Sequence, residues 1–277
     1  MVDREGRRLV FVKTIAKSAR SEVLEVERDG ERLALKVLFA ADEPEIGAAF
    51  EREVAALADA RHPNIVRVLD CGRARGGLAW ILMPLYEGVT LRARLRGNRT
   101  LSPRRACRLF RDYLDGLEAL HRAGVVHRDL SPKNLFIGRD IAVGRTAHGL
   151  ILDLGRAHLA SRDDLVTGDQ IVGTLGYLAP EQILGGAIDE RTDVFALGLC
   201  LFEALAGVPA FEGESAGELL HSGVPHLAEA RSGGVFDILG SVVARATKIG
   251  PGERFASAAE FREALVQAWA FAREEAA

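Results

Sequence analysis

The chain has 277 residues, a hydrophobic fraction of 48%, a charged fraction of 27% and a formal net charge of −3. These values are typical of a folded globular protein and exclude a disordered chain. The charge gives no reason to expect nucleic acid as a partner. No apolar run reaches the ~20 residues of a membrane helix, and the charged start does not resemble a signal peptide. We expect no membrane segment within this chain and a cytoplasmic location.

Three cysteines, Cys71, Cys107 and Cys200, are far apart and lack the spacing of a metal site. Their small, odd number favours buried free thiols in a reducing compartment over a disulfide framework.

The first part of the chain has the alternating, β-branched pattern of strands, at 8–17, 21–28, 32–40, 65–72 and 77–85. Asp29 and Gly30 separate the second and third strands and predict a tight hairpin. Residues 45–60 have apolar positions at helical spacing and end before Pro63. This pattern predicts an antiparallel sheet with one helix.

The remainder of the chain is predicted to be mainly helical. Residues 102–124 predict a long helix, with Ser102 as its cap and Pro103 at its first position. Further helices are predicted at 179–184, 193–206, 234–248 and 256–275. Two short strands, 134–137 and 149–154, interrupt this pattern.

The segment "VVHRDLSPKN" (125–134) lies between the long helix and the two short strands, and Asp153 stands near the end of the second strand. Phosphoryl transfer requires a base that orients a hydroxyl, oxygen ligands for magnesium and a cation on the nucleotide. Asp129, Asn134 and Asp153 could supply the base and both metal ligands.

These residues resemble the catalytic loop and the metal-binding motif of the eukaryotic-type protein kinases. The resemblance implies that Asp129 is the base and that Asn134 and Asp153 bind Mg²⁺. Arg128 directly precedes the base. In the family, an arginine at this place is linked to control of the kinase by its activation loop.

The resemblance extends to "LALK", whose Lys36 is implied to pair with the phosphates of ATP. Glu53 is implied to hold Lys36 in place, because it lies ten residues before Pro63, and Glu51 is its nearest rival.

The segment "GTLGYLAPE" (173–181) resembles the substrate-side segment of the family and implies a protein substrate. Thr174 is implied to lie near the base, and Glu181 to pair with Arg254. Asp193 matches the structural aspartate of the central helix.

The fold class implied is α+β: a two-lobed protein-kinase-like fold with a small antiparallel β-sheet lobe plus one helix and a larger, mainly helical lobe. We expect one domain over 8–270, with the small lobe at 8–84, a hinge at 84–88 and the large lobe at 89–270. Residues 271–277 are expected to finish the last helix.

The phosphate-covering loop departs from the family. In "AKSARSEV" (16–23), Ala16, Ser18 and Ser21 occupy the three glycine places before Val23. Because each carries a Cβ, strained dihedrals, a stiffer loop and a weaker grip on the nucleotide are expected. Lys17 and Arg20 either compensate by contacting the phosphates or are solvated side chains.

Adenine recognition is assigned to the segment after the last strand of the small lobe. Met83 is implied to back the pocket, and Pro84 to Tyr86 form the hinge, where the amide of Tyr86 could serve adenine. Ala34, in the "LALK" strand, completes the implied nucleotide site.

Hydroxyl specificity is left open by the catalytic loop. Serine/threonine members usually have lysine where Ser131 stands. Lys133 stands where tyrosine-specific members tend to carry arginine. Lys133 either reaches the transferred phosphoryl group or is a surface charge. Gly173 and Thr174 favour serine/threonine specificity. Thr167, in the loop before Thr174, is a candidate for autophosphorylation or an unmodified surface threonine.

The leading hypothesis is an ATP- and Mg²⁺-dependent serine/threonine kinase that phosphorylates a protein, most similar to bacterial members of the family. The alternative is a pseudokinase or weakly active binding module, because the loop glycines are missing. A small-molecule phosphotransferase is disfavoured, since such enzymes tend to lack the segment over 173–181.

Overall fold

The computed structural model describes residues 2–18, 21–39, 54, 61–73, 78–140, 145–152, 175–211 and 223–274. The chain divides into two compact units, Met1–Glu87 and Gly88–Ala277. In the described residues, the first unit is built on a β-sheet and the second is mainly helical. This composition confirms the predicted α+β class.

The first unit contains a five-stranded antiparallel sheet in the order β1-β2-β3-β5-β4. Its strands are β1 (Val10–Lys17), β2 (Ser21–Arg28), β3 (Glu31–Leu38), β4 (Asp70–Arg73) and β5 (Ala79–Pro84). The β2–β3 hairpin turns at Asp29 (φ 54°) and Gly30 (φ 82°). Two successive positive φ angles are those of a type I′ turn, as the Asp-Gly pair predicts.

Each face of this sheet has its own apolar cluster. One face carries Leu33, Leu35 and Leu82, while the other carries Ile81 and packs against Val54. Val54 is helical and buried, and the rest of the helix predicted over 45–60 lies outside the described residues.

The strand predicted over 65–72 is shorter than its apolar pattern suggests, because β4 begins only at Asp70. Ile65 and Val66 are nevertheless buried. Their apolar character therefore reflects burial in the segment before β4, which an apolar run alone does not distinguish from a strand.

The second unit contains seven helices in its described part. They are α1 (Leu91–Leu95), α2 (Pro103–Arg122), α3 (Pro180–Leu184), α4 (Glu190–Ala206), α5 (Leu227–Ala230), α6 (Gly234–Ala246) and α7 (Ala258–Glu274). Ser102 stands at the N-cap of α2 as predicted, but its side chain makes no cap hydrogen bond. Helix α4 begins three residues before its predicted start, since Asp189 caps it through the amide of Arg191.

Helix α4 is buried over almost its whole length. A helix that is apolar on all sides belongs in the core of a large unit. It therefore provides a fixed base for the loops that contact it.

A three-stranded sheet in the order β6-β7-β8 completes the second unit, with β6 (Gly88–Thr90), β7 (Leu135–Asp140) and β8 (Arg145–Ile151). The predicted strands over 134–137 and 149–154 correspond to β7 and β8. Gly88 has φ 152°, and a Cβ there would clash with the carbonyl oxygen of Ile137. The approach of β6 to β7 thus requires glycine.

Within the described ranges, no helix combines the length and apolar character needed to cross a bilayer. Cys71, Cys107 and Cys200 are buried and none is part of a disulfide, as predicted. Burial raises the pKa of the Cys107 thiol to about 12, so this thiol stays protonated at neutral pH.

Candidate active site

Five of the predicted nucleotide-binding residues share one face of the five-stranded sheet. Ala16, Val23 and Lys36 are direct cross-strand neighbours on β1, β2 and β3. Ala34 lies two residues before Lys36 and pairs with Met83 on β5. Because side chains two residues apart on a strand point to the same side, all five belong to one surface.

Lys36 is 6% exposed and lies on the face of the sheet that Val54 covers. An ammonium group at such a position needs a charged or polar partner. Glu53, its predicted partner, and the rival Glu51 lie outside the described residues.

The two serines in glycine places hold the ends of the β1–β2 turn together. The Ser18 amide donates to the Ser21 carbonyl oxygen at 2.8 Å, and the Ser21 amide donates to Ser18 Oγ at 3.1 Å. The two hydroxyl oxygens also lie 3.1 Å apart, and Ser18 Oγ can donate to the Ser21 carbonyl oxygen at 3.1 Å. We name these contacts the serine latch; all except the main-chain bond use hydroxyl groups, which glycines lack.

The backbone strain expected at the glycine places is absent. Among the described residues, only Asp29, Asn98 and Arg128 combine a side chain with positive φ. The β1–β2 ladder extends to Ala16 opposite Val23, so Ala16 has ordinary strand geometry. The expectation of strained dihedrals was therefore wrong, because these residues do not adopt the conformations that favour glycine.

At the end of the first unit, Pro84 is the last residue of β5 and stands opposite Leu33. The hydroxyl oxygen of Tyr86 accepts a hydrogen bond from the Arg67 amide at 3.2 Å. Burial raises the pKa of Tyr86, which stays a neutral phenol anchored to the preceding chain.

In the second unit, the loop over 125–134 is held by one buried carboxylate on α4. Asp193 accepts hydrogen bonds from the amides of His127 and Arg128, each at 2.8 Å. Nε2 of His121, on α2, lies 2.9 Å from the same carboxylate. The side chain of Asp193 is fully buried. Three polar partners compensate for this burial, as the predicted structural role requires.

Arg128 has a left-handed backbone, with φ 63°. Asp193 binds its amide at 2.8 Å, while Nε2 of Gln182 donates to its carbonyl oxygen at 2.9 Å. Hydrogen bonds on both sides of the residue maintain a conformation that is costly for a side chain larger than glycine. This turn orients the following residue, Asp129.

Asp129 and Asn134 are brought together by the return of the loop. Nδ2 of Asn134 donates to the Asp129 carbonyl oxygen at 2.7 Å and lies 3.3 Å from Asp129 Oδ2. This arrangement assigns the amide nitrogen to Asp129 and leaves Oδ1 of Asn134 as the oxygen suited to a metal ion. The predicted base and one predicted metal ligand are therefore neighbours.

The chain before Asp153 is fixed at two points. The Leu152 amide donates to the Asn134 carbonyl oxygen at 2.8 Å, and Nε2 of His127 lies 3.1 Å from the Leu152 carbonyl oxygen. His127 is fully buried, so its ring connects the loop to the end of the β8 segment. Asp153, Thr167 and Thr174 lie outside the described residues.

The two residues that depart from the usual loop sequence differ in exposure. Lys133 is exposed. Ser131 is fully buried, and its Oγ has no hydrogen-bond partner in the described part of the chain. The contact of Lys133 with a transferred phosphoryl group stays a prediction.

The substrate-side segment is described from residue 175 onward. Tyr177 donates a hydrogen bond to Glu203 on α4, and Arg92 lies 3.6 Å from the same carboxylate. Helix α4 thus anchors both the catalytic loop and this segment.

Glu181 and Arg254 form the predicted ion pair. Nη1 and Nη2 of Arg254 donate to the two carboxylate oxygens at 2.7 and 2.8 Å. The Thr192 hydroxyl donates to Glu181 at 2.8 Å. Burial alone would raise the pKa of Glu181, but hydrogen bonds from Arg254 and Thr192 outweigh burial and hold that pKa below its usual range.

The remaining donors of Arg254 are also satisfied. Its Nε donates to the Lys248 carbonyl oxygen, and its two Nη groups donate to the carbonyl oxygens of Arg191 and Ile249, at 2.8 to 3.0 Å. The guanidinium also lies over the ring of Phe195, 4.7 Å from its centroid. Five donors in fixed directions suit arginine and not lysine.

Sequence reasoning missed the serine latch and the roles of Gln182 and His121. Gln182 follows the recognised motif directly, and His121 lies on the apolar helix before the loop. The roles of Gln182 and His121 depend on hydrogen bonds to distant segments, and single-sequence spacing carries no signal for them. The latch is local, and two serines three residues apart in a predicted turn are the signal that could have indicated it.

Comparison with known proteins agrees with this geometry. The model of the protein kinase domain family matches residues 10–232. Serine/threonine-protein kinase PknB of Mycobacterium tuberculosis is 35% identical over 254 residues, which cover 88% of this chain and 39% of that protein. Serine/threonine-protein kinase PkaA of Streptomyces coelicolor is 36% identical, over 86% of this chain and 43% of that protein.

The chain spans about two fifths of the length of these relatives. Both relatives are bacterial, which confirms the predicted similarity to bacterial members. The family match covers most of the chain, including β1, β3, the catalytic loop and α4. The chain therefore belongs to the protein kinase domain family.

Proposed function

We propose that this chain is a serine/threonine kinase that transfers the γ-phosphoryl group of ATP to a hydroxyl group of a protein, within a domain spanning 8–270. The observation that carries this proposal is the pairing of Asp129 with Asn134 in a loop fixed by the buried Asp193. A base in a rigid loop, next to an oxygen ligand, is what phosphoryl transfer requires of a protein.

Each residue has a distinct task in the proposed reaction. Asp129 accepts the proton of the acceptor hydroxyl and orients its oxygen toward the phosphorus. Lys36 binds the nucleotide phosphates through its ammonium, and Glu53 holds that ammonium in place. Asn134, through Oδ1, and Asp153 would hold Mg²⁺, which when bound neutralises the charge on the phosphates.

The nucleotide is proposed to lie against the sheet face of the first unit. Met83 and Ala34 contact the base, and the amide of Tyr86 donates to it. Ala16, Ser18, Ser21 and Val23 cover the phosphates. The absence of strain at the glycine places and the presence of the serine latch favour a formed loop over the pseudokinase alternative.

We also propose that the acceptor hydroxyl belongs to serine or threonine and that the chain phosphorylates itself. Thr174 lies beside the base and favours serine or threonine acceptors, and Lys133 contacts the transferred group. Autophosphorylation is proposed at Thr167, where Arg128 would bind the added charge. Mass spectrometry after incubation with ATP and Mg²⁺ should find phosphate on Thr167, and Thr167→Ala should remove it.

The central test compares the wild-type chain with Asp129→Asn. Incubation with labelled ATP, Mg²⁺ and a generic basic protein should label the protein, and the variant should transfer at least about 10²-fold more slowly, because general-base positioning is lost. Nucleotide binding, followed by thermal shift, should be unchanged. Equal labelling by both forms would remove the proposed role of Asp129, and nucleotide binding without transfer by the wild type would favour a binding module.

A further inference from the structure

Residues 88–111 contain eight arginines and no aspartate, glutamate or lysine. The segment includes α1, the connection after it and the first half of α2. Because the whole chain has a net charge of −3, the rest of the chain is distinctly acidic. A segment so one-sided in charge is unusual for a protein with this composition.

Most of these arginines make no ion pair within the described part of the chain. Arg92 lies 3.6 Å from Glu203, and Arg111 lies 4.0 Å from Asp112. Five others make no ion pair with any described residue, and we name them the arginine surface: Arg94, Arg96, Arg99, Arg104 and Arg105. Four of the five are exposed, and Arg94 is half-buried.

Two arginines of the arginine surface stand where a positive charge destabilises a helix. Arg104 and Arg105 stand in the first turn of α2, a 20-residue helix whose first turn has no acidic residue. The N-terminus of a helix carries partial positive charge and favours carboxylates. Cations at this end therefore destabilise the helix, and a bound anion would reverse that effect.

The surroundings of these arginines determine which anionic partner fits. Among the large apolar side chains of the segment, all of which the structure describes, Val89 alone is exposed, and it precedes the arginine surface. The single aromatic residue, Phe110, is fully buried. Membrane-binding helices insert an exposed apolar face, and single-stranded nucleic acid is held by exposed aromatic rings. The arginine surface offers neither feature.

Long polyanions are also disfavoured by the acidic remainder of the chain. A membrane surface or a duplex would extend beyond the segment and meet this like charge. A short peptide can contact the arginines alone. Guanidinium groups bind carboxylates through two parallel hydrogen bonds, which suits aspartate and glutamate side chains.

We propose that the arginine surface binds an acidic, extended segment of the protein substrate, separate from the hydroxyl that is phosphorylated. This inference rests on the proposed function, since it identifies a class of substrate for the same kinase. The substrate is retained by its acidic segment while its hydroxyl reaches Asp129.

Direct binding tests the inference without catalysis. The full chain is titrated into a fluorescein-labelled peptide of alternating Glu and Ser, and into the same peptide with Gln for Glu, and fluorescence polarisation is recorded. We expect the acidic peptide to bind, and its affinity to fall with added salt, because exposed charge pairs are screened. Arg96→Gln/Arg99→Gln and Arg104→Gln/Arg105→Gln should each weaken binding about fivefold.

The control is Arg139→Gln/Arg273→Gln, which removes the same charge from two exposed arginines outside the segment. It should bind the acidic peptide as the wild type does. Arg104→Gln/Arg105→Gln should also unfold at an equal or higher temperature, so loss of binding cannot come from loss of structure. Equal weakening in the control pair, or no preference for the acidic peptide, would refute the inference.

Two further measurements distinguish an acidic peptide from other anionic partners, and binding by the arginine surface from catalysis by Asp129. Phosphatidylserine vesicles or a DNA duplex bound more tightly than the acidic peptide, through the same arginines, would overturn the choice of partner. Asp129→Asn should retain peptide binding although transfer is lost. With an acceptor peptide that carries the acidic tail, each of the two double variants of the arginine surface should have a KM about fivefold higher than the wild type and an unchanged kcat. A fall in kcat with unchanged KM would contradict the inference, because it would show that the arginines act in the catalytic site and not in binding the acidic segment of the substrate.

Discussion

The serine latch shows how single residues can replace a glycine motif. Ser18 and Ser21 use their hydroxyl groups to hold the turn after β1, and the residues at its ends keep strand geometry. Where glycine permits close approach through flexibility, these serines supply order. A loop that is already ordered loses less entropy when it closes on a ligand.

Ser18→Ala should therefore weaken ATP binding. The variant loses the bonds of Ser18 Oγ to Ser21 but retains the main-chain bond between the two residues. A neutral hydrogen bond contributes ~0.5 to 1.5 kcal/mol, so KM for ATP should rise about threefold to tenfold while kcat changes little. Initial rates at varied ATP measure both.

Thr14→Ala is the matched control for the latch. The Thr14 hydroxyl donates to the Glu22 carboxylate at 3.0 Å on the same pair of strands and takes no part in the Ser18–Ser21 contacts. Its KM for ATP should match the wild type. An unchanged KM in Ser18→Ala, or an equal rise in Thr14→Ala, would contradict the role of the latch.

At the scale of elements, α4 links the catalytic loop and the substrate-side segment through Asp193 and Glu203. Neither carboxylate reaches the surface appreciably, since Asp193 is 0% and Glu203 is 4% exposed. Small shifts of α4 should therefore affect both functional segments together.

Asp193→Asn should reduce catalysis strongly. An amide group can accept through one oxygen only, so one of the two loop amides, of His127 or Arg128, loses its partner inside the protein. An unsatisfied buried donor costs ~1 to 3 kcal/mol, and we expect kcat to fall about tenfold to 100-fold with a lower unfolding temperature. Asp189→Asn, at the cap of the same helix, should preserve both values, because asparagine is an equally good cap.

Strands and helices with strong patterns were predictable from the sequence, and the weakly marked elements were not. The Asp29-Gly30 turn and α2 follow from turn chemistry and apolar spacing. The three-residue β6 and five-residue α1 were missed, since so few residues show no period. In the site, the Asp129 and Asn134 positions came from the motif. The Gln182 contact depends on a tertiary hydrogen bond, and the Ser18 contacts, although local, depend on side-chain hydrogen bonds that the family pattern of glycines does not contain.

At the scale of the whole molecule, the Glu181–Arg254 pair joins segments 73 residues apart in the second unit. Leaving one member of such a buried pair without its partner costs ~3 to 5 kcal/mol. Arg254→Met should lower the free energy of unfolding by about this amount, measured in urea. Arg245→Met breaks the half-exposed pair with Glu260 and the contact of the guanidinium with the Phe255 ring, 4.3 Å from its centroid, and should cost less, about 1 to 2 kcal/mol.

The same pair should make stability depend on pH in the acid range. The pKa of Glu181 is lowered by folding, so its contribution is complete above the ordinary glutamate value of ~4.3 and is lost as pH falls through the lowered folded value. The stability difference between wild type and Glu181→Gln should be largest near neutrality and shrink toward low pH. A difference that grows on acidification would reverse the assigned sign.

The dependence of the catalytic loop on Asp193 has a temporal consequence. The acceptor of the His127 amide, Asp193, lies 66 residues further along the chain and is therefore synthesised later. At translation rates of ~5 to 20 residues per second, that interval lasts roughly 3 to 13 s. A growing polypeptide that already includes Asp129 therefore lacks the two hydrogen bonds that hold its loop until the helix carrying Asp193 has been synthesised.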